Sequence, residues 1–80
     1  MGANAGKKLV DPEAESLARM VAESDDVDAR SCAARTLAER TSTLDLRTRK
    51  WVAARMFRVY TGSDDELRRT LARAVLLGIR

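Results

Sequence analysis

Residues 43–60 read TLDLRTRKWVAARMFRVY, a stretch that holds all three aromatic side chains of the chain and its densest run of positive charge. At about 100° per residue, Leu44, Leu46, Val52, Ala53, Met56, Phe57, Val59 and Tyr60 share one apolar arc, wide enough to touch two or three neighbouring helices. Arg49 and Asp45 interrupt that arc. The other side carries Arg47, Lys50, Arg55 and Arg58, with Trp51 among them. A central helix is expected here, apolar behind and basic in front.

Upstream, Val10-Asp11-Pro12-Glu13 reads as a helix start: Asp11 can accept from free amides, Pro12 suits the first helical position, and Glu13 favours the positive end of the dipole. That helix is expected to reach about Ser24, burying Ala14, Leu17, Ala18 and Val21. Ser24-Asp25-Asp26 breaks the pattern and offers a cap, with Asp28 placed to close a box back to Asp25. A second helix then runs to about Arg40 with an inward stripe of Val27, Ala33, Ala34, Leu37 and Ala38. Thr41-Ser42-Thr43 is a polar connection, with Ser42 or Thr43 as cap of the central helix.

Downstream, Gly62 suits a left-handed stop. Ser63-Asp64-Asp65-Glu66 forms a capping box for a last helix, whose stripe is Leu67, Leu71, Ala74, Val75, Gly78 and Ile79, with Arg69, Arg73 and Arg80 opposite. No stretch alternates with period two, and no Asn-Gly hairpin signal occurs. The fold class is therefore all-α: a single small domain of four short helices over residues 11–80, arranged as a bundle or as two stacked helical hairpins. Residues 1–10, small and polar, are expected to be a disordered tail.

Charge is divided by region. Residues 11–28 hold seven acids against Arg19, and residues 29–60 hold eight bases against Glu39 and Asp45. Such polarity orients encounters with a charged partner, or is satisfied internally or between copies.

The chain also repeats itself. Ser24-Asp25-Asp26 recurs as Ser63-Asp64-Asp65, and an offset of 39 lays Ala14, Leu17, Met20 and Val21 over Ala53, Met56, Val59 and Tyr60. An offset of 40 lays Val27, Ala34, Leu37 and Ala38 over Leu67, Ala74, Leu77 and Gly78. A helix, an Asp-containing turn, then a helix opening with an apolar residue and an arginine (Asp26, Val27, Arg30; Asp65, Leu67, Arg68) resembles a HEAT-like hairpin repeat over residues 11–80. The resemblance implies stacked antiparallel helices and a scaffold that binds proteins or nucleic acid.

Composition argues against several chemistries. Eighty residues bury about 60% of the surface of their unfolded chain, so stability is expected to be slim. Cys32 is the single cysteine and histidine is absent, which removes an intramolecular disulfide, the usual structural zinc sets and the commonest general base. Asp28 and Arg35 flank Cys32 on its helix and pull its acidity in opposite directions, so a packing role is expected. The Asp25, Asp26, Asp28 cluster lacks the central glycine and distal glutamate of a calcium loop, and no glycine-rich phosphate loop is present. No enzyme activity, metal, cofactor or small-molecule substrate is expected. A free thiol without a long apolar run suggests the cytoplasm and no membrane span.

The expected function is a non-catalytic protein–protein interaction module, an adaptor, chaperone or inhibitor. It would dock through Arg47, Lys50, Trp51, Arg55 and Arg58 onto an acidic protein surface, including that of a second copy in a homodimer. Arginine and tryptophan are the side chains most enriched where partners bind tightly. A small nucleic-acid-binding regulator using the same face is the alternative, with the central helix as reader of a helix-turn-helix. The apolar, uncapped end of the last helix also fits a piece of a longer helical-repeat scaffold.

Overall fold

Among the described residues, every α-helix begins at an aspartate. The computed structural model describes residues 10–79, so the expected tail, apart from Val10, lies outside the described residues. Four helices follow: α1 (Pro12–Glu23), α2 (Val27–Arg40), α3 (Leu46–Gly62) and α4 (Glu66–Gly78), with a short 3-10 turn (Thr41–Thr43) before α3. The domain is all-α, and no strand occurs among the described residues.

The caps are Asp11, Asp26, Asp45 and Asp65, whose carboxylates accept from the amides of Ala14, Asp28 and Ala29, Thr48, and Arg68 respectively. A carboxylate satisfies an orphan donor and also meets the positive end of the helix dipole. The cap of α3 is thus Asp45 rather than Ser42 or Thr43. The threonine hydroxyls of that connection point backwards, Thr41 donating within 2.9 Å of the carbonyls of Ala38 and Gly78, and Thr43 to that of Arg40 at 2.8 Å. In α4 the cap falls on Asp65, two residues after the expected Ser63. Gly62 is the last residue of α3 and has no positive φ, because the chain leaves through an extended Ser63 instead of a left-handed stop.

Thr48 ties two helix starts together. Its hydroxyl accepts from the Asp11 amide at 3.1 Å and donates to the Asp45 carboxylate at 2.6 Å, and the residue is fully buried. That donated bond holds the Asp45 carboxyl below the usual range. Thr48→Ala is expected to cost about 1–3 kcal/mol, since a buried amide loses its partner, while Thr48→Ser keeps both bonds and most of the stability. Thermal melts followed by circular dichroism compare the two.

The chain forms two hairpins with the same turn. Ser24 and Ser63 have φ/ψ of −70/140° and −89/144°; Asp26 and Asp65 have −81/114° and −84/113°. In each, the serine hydroxyl accepts from the aspartate amide, at 3.1 and 3.0 Å. α1 and α3 end, and α2 and α4 begin, at a constant offset of 39, so the slip to 40 is not needed.

The hairpins stack side by side and point the same way. Asp11 meets Thr48 at one end, while at the other Arg30 reaches Asp65 and Arg68 reaches the carbonyls of Val21 and Ser24. α1 therefore lies along α3 and α2 along α4. Hairpin one buries Ala14, Ala18, Val21, Ala34 and Leu37 against Val52, Met56, Ala72 and Val75 of hairpin two.

This core lies to one side of the expected arc. α3 is buried along Thr48, Val52 and Met56, which leaves Leu46 and Phe57 61% and 59% exposed. In α4 the buried positions are Ala72 and Val75, with Leu76 packed against the core, while Ala74 is exposed. Val27, at the first turn of α2, is also exposed. The cause is common to all: each helix meets two neighbours on adjacent sides, so its apolar arc splits between contacts that exist and a flank that faces solvent.

Candidate functional site

α3 carries no acid between Leu46 and Gly62, and its outward side is where its cations gather. Arg47, Lys50 and Arg58 are exposed and form no ion pair among the described residues. Trp51 is half-buried, packed against the core along one edge of this face. Arg55 turns toward α1, where it donates to Glu23 at 3.0 Å. The structure thus brings Arg47, Lys50, Trp51 and Arg58 onto one surface and assigns Arg55 an internal partner. Arg49, which interrupts the apolar arc in the sequence, is half-buried.

An open cleft of about 470 Å³ continues this face toward the turn end, between the C-termini of α1 and α3. Glu23, Arg55, Arg58, Gly62 and Arg68 line it. Both helices end here with the negative ends of their dipoles, which attract cations. Arg68 answers α1 directly: its guanidinium donates at 3.0 Å to the carbonyls of both Val21 and Ser24, and its side chain is only 13% exposed. Arg58 stays in solvent on the opposite wall.

Three participants escape a helical wheel. Phe57 joins the exposed face because the core is displaced; Glu23 neutralises Arg55 from another helix; and Arg68, which a wheel sets beside Val75 on the apolar side of α4, reaches the carbonyls of α1. A wheel orders residues around one axis and holds no record of where the neighbours stand. The only available signal was the recurrence of acidic turns, whose placement at one end brings Arg30 and Arg68 across.

Elsewhere, Cys32 is exposed on α2. No cluster of three metal-ligating side chains occurs among the described residues, and no described helix is long and apolar enough to cross a membrane. No protein-family model, curated protein or solved structure matches this chain.

Proposed function

We propose that the protein is a non-catalytic interaction module that docks the outward face of α3 onto an acidic surface of a protein partner, serving as an adaptor, chaperone or inhibitor. The observation that supports this is the composition of that face. Three uncompensated cations, Arg47, Lys50 and Arg58, stand beside exposed Leu46 and Phe57 and a half-buried Trp51. Apolar anchors ringed by cations match an amphipathic acidic helix, whose apolar residues would cover Phe57 while its carboxylates meet the arginines. The HEAT-like pattern of the hairpins supports the same scaffold role.

Trp51 is the sole tryptophan, so its fluorescence reports on this face alone. Titration with an acidic amphipathic peptide is expected to shift and quench its emission, with only moderate weakening at high salt. Arg47→Glu with Lys50→Glu should abolish the response. A random DNA duplex tests nucleic-acid binding, which the same free cations favour: a response to duplex alone that collapses steeply with salt would replace the protein partner with phosphate. Silence toward both probes would refute the docking face.

A further inference from the structure

We infer that this chain stacks head to tail on copies of itself, hairpin two of one molecule receiving hairpin one of the next in the geometry that already joins the two hairpins within a molecule. The internal junction shows which relation the hairpins obey. If a two-fold axis related them, residues 39 apart would be buried together. Along α1 and α3 they are not: Ala14, Ala18 and Val21 are fully buried, whereas their counterparts Ala53, Phe57 and Tyr60 are half-buried or exposed. α3 instead buries Val52 and Met56, whose counterparts Glu13 and Leu17 are exposed and half-buried; on the side of α2 and α4, Ala33 and Ala72 are both buried. The relation is a translation with both turns at one end, and such a contact does not close on itself.

Each molecule therefore keeps one unused copy of each stacking face. On hairpin two it holds Phe57, Tyr60, Arg69, Arg73 and Leu77, where hairpin one buries Ala18, Val21, Arg30 and Ala34 and half-buries Ala38. Phe57 and Leu77, 59% and 61% exposed, are two of the five large exposed apolar side chains among the described residues. On hairpin one it holds Leu17 and Met20, the counterparts of Met56 and Val59; Met20 is a third of those five. This stacking flank of α3 shares Phe57 with the proposed docking face and diverges from it beyond that residue: the docking face continues to Arg47, Lys50 and Arg58, whereas the stacking flank continues to Tyr60, which lies under Arg69 of α4, 5.6 Å from its ring centre.

Charge selects a second copy as the occupant. Residues 11–40 hold eight acids and four arginines, a balance of −4; residues 45–79 hold four acids and eight bases, a balance of +4. Hairpin two of one molecule thus offers cations where hairpin one of the next brings acids. One pair can be named from the internal template. Arg30 bonds to Asp65, the cap of the following hairpin, at 2.8 Å; a step of 39 makes this Arg69 of one copy with Asp26 of the next. Phe57 in the place of Ala18 spaces the junction between copies wider than the one within a molecule, so assembly belongs to high protein concentration.

The test uses the full chain and two variants, each blocked on one face. Phe57→Glu with Leu77→Glu blocks hairpin two at exposed positions; Met20→Arg with Asp26→Asn blocks hairpin one and keeps a capping side chain. Light scattering of the unmodified protein is expected to show a mass that climbs from 8.9 kDa without a plateau as concentration rises, and that falls on adding salt. Each variant alone should remain at the monomer mass, with its helical melt intact. Their equimolar mixture should double in mass and stop there, because one open face of each kind remains. Cys32 supplies a second reading: its counterpart Leu71 is half-buried, so labelling by a maleimide should slow in the mixture for the Phe57 variant only. A monomer at every concentration, a closed dimer that the variants do not disturb, or a mixture that stays monomeric would each overturn the proposal.

Discussion

Replacing Arg30 with methionine is expected to leave stability unchanged or to raise it, whereas alanine at the same place should cost about 2–4 kcal/mol. Arg30 is 4% exposed, its Nε has no hydrogen-bond partner, and its one bond is the 2.8 Å contact with the Asp65 carboxylate. A guanidinium so placed has lost most of its hydration for a single charged partner, and an apolar side chain of similar length avoids that loss while filling the space. Alanine leaves the space empty. Asp65 keeps its capping bond to the Arg68 amide in either variant. Asp65→Ala is the harsher change, because it strands a buried cation and uncaps α4 together; Asp65→Asn keeps the cap and isolates the charge. Urea titrations of the four variants separate these contributions.

The same pair predicts an acid limb. The Arg68 amide, then the Arg30 guanidinium, hold the Asp65 carboxyl below the usual carboxylate range, and the Thr48 hydroxyl does the same for Asp45. In the unfolded chain both carboxyls bind protons more readily, so their contribution is complete above the ordinary aspartate value and disappears as pH falls through the depressed one. Arg30→Met removes one cause of the depression at Asp65. Its stability should therefore fall less between neutrality and acid, and for an equal stability near neutrality its acid unfolding midpoint should move to lower pH.

The aspartate turns explain how far the fold was legible. Helix count, order and the all-α class follow from capping chemistry and spacing, both local properties of the chain. Even so, three local choices went to the wrong residue by one to three positions: Asp25 for Asp26, Ser42 or Thr43 for Asp45, and Ser63 for Asp65. In each, several side chains could accept the same amide; Ser63 is instead taken up by the Asp65 amide, and the Thr43 hydroxyl donates back to the Arg40 carbonyl. Burial was less legible. The apolar arc of α3 extends in sequence from Leu46 to Tyr60, broken by Arg49, but only the part facing α1 and α4 at once becomes core. Arg47, Lys50 and Arg58 are exposed at positions that helical spacing puts on one side; the pairing of Arg55 with Glu23 was not legible, because their separation of 32 residues carries no periodic signal.

Leu37→Ala should remove about 2–5 kcal/mol, a large share of what an 80-residue domain has to lose, while Phe57→Ala should change stability by no more than about 0.5 kcal/mol. A count of aromatic residues ranks the two in the opposite order. Leu37 is among the largest side chains with no exposed surface, and it is ringed by small residues, Ala33 and Ala34 on its own helix and Ala72 on α4. Alanines pack closely because they have no side chain with which to refill a void, so the space left by leucine persists and adds its own cost to the lost transfer energy. Phe57 stands 59% in solvent on the opposite side of its helix from Val52 and Met56. Alanine there has the better helix propensity and gives up little burial. Melts at low concentration, where each molecule stands alone, isolate the two effects; a large loss from Phe57→Ala under those conditions would move the aromatic into the core and close the face on which both the stacking and the docking proposals depend.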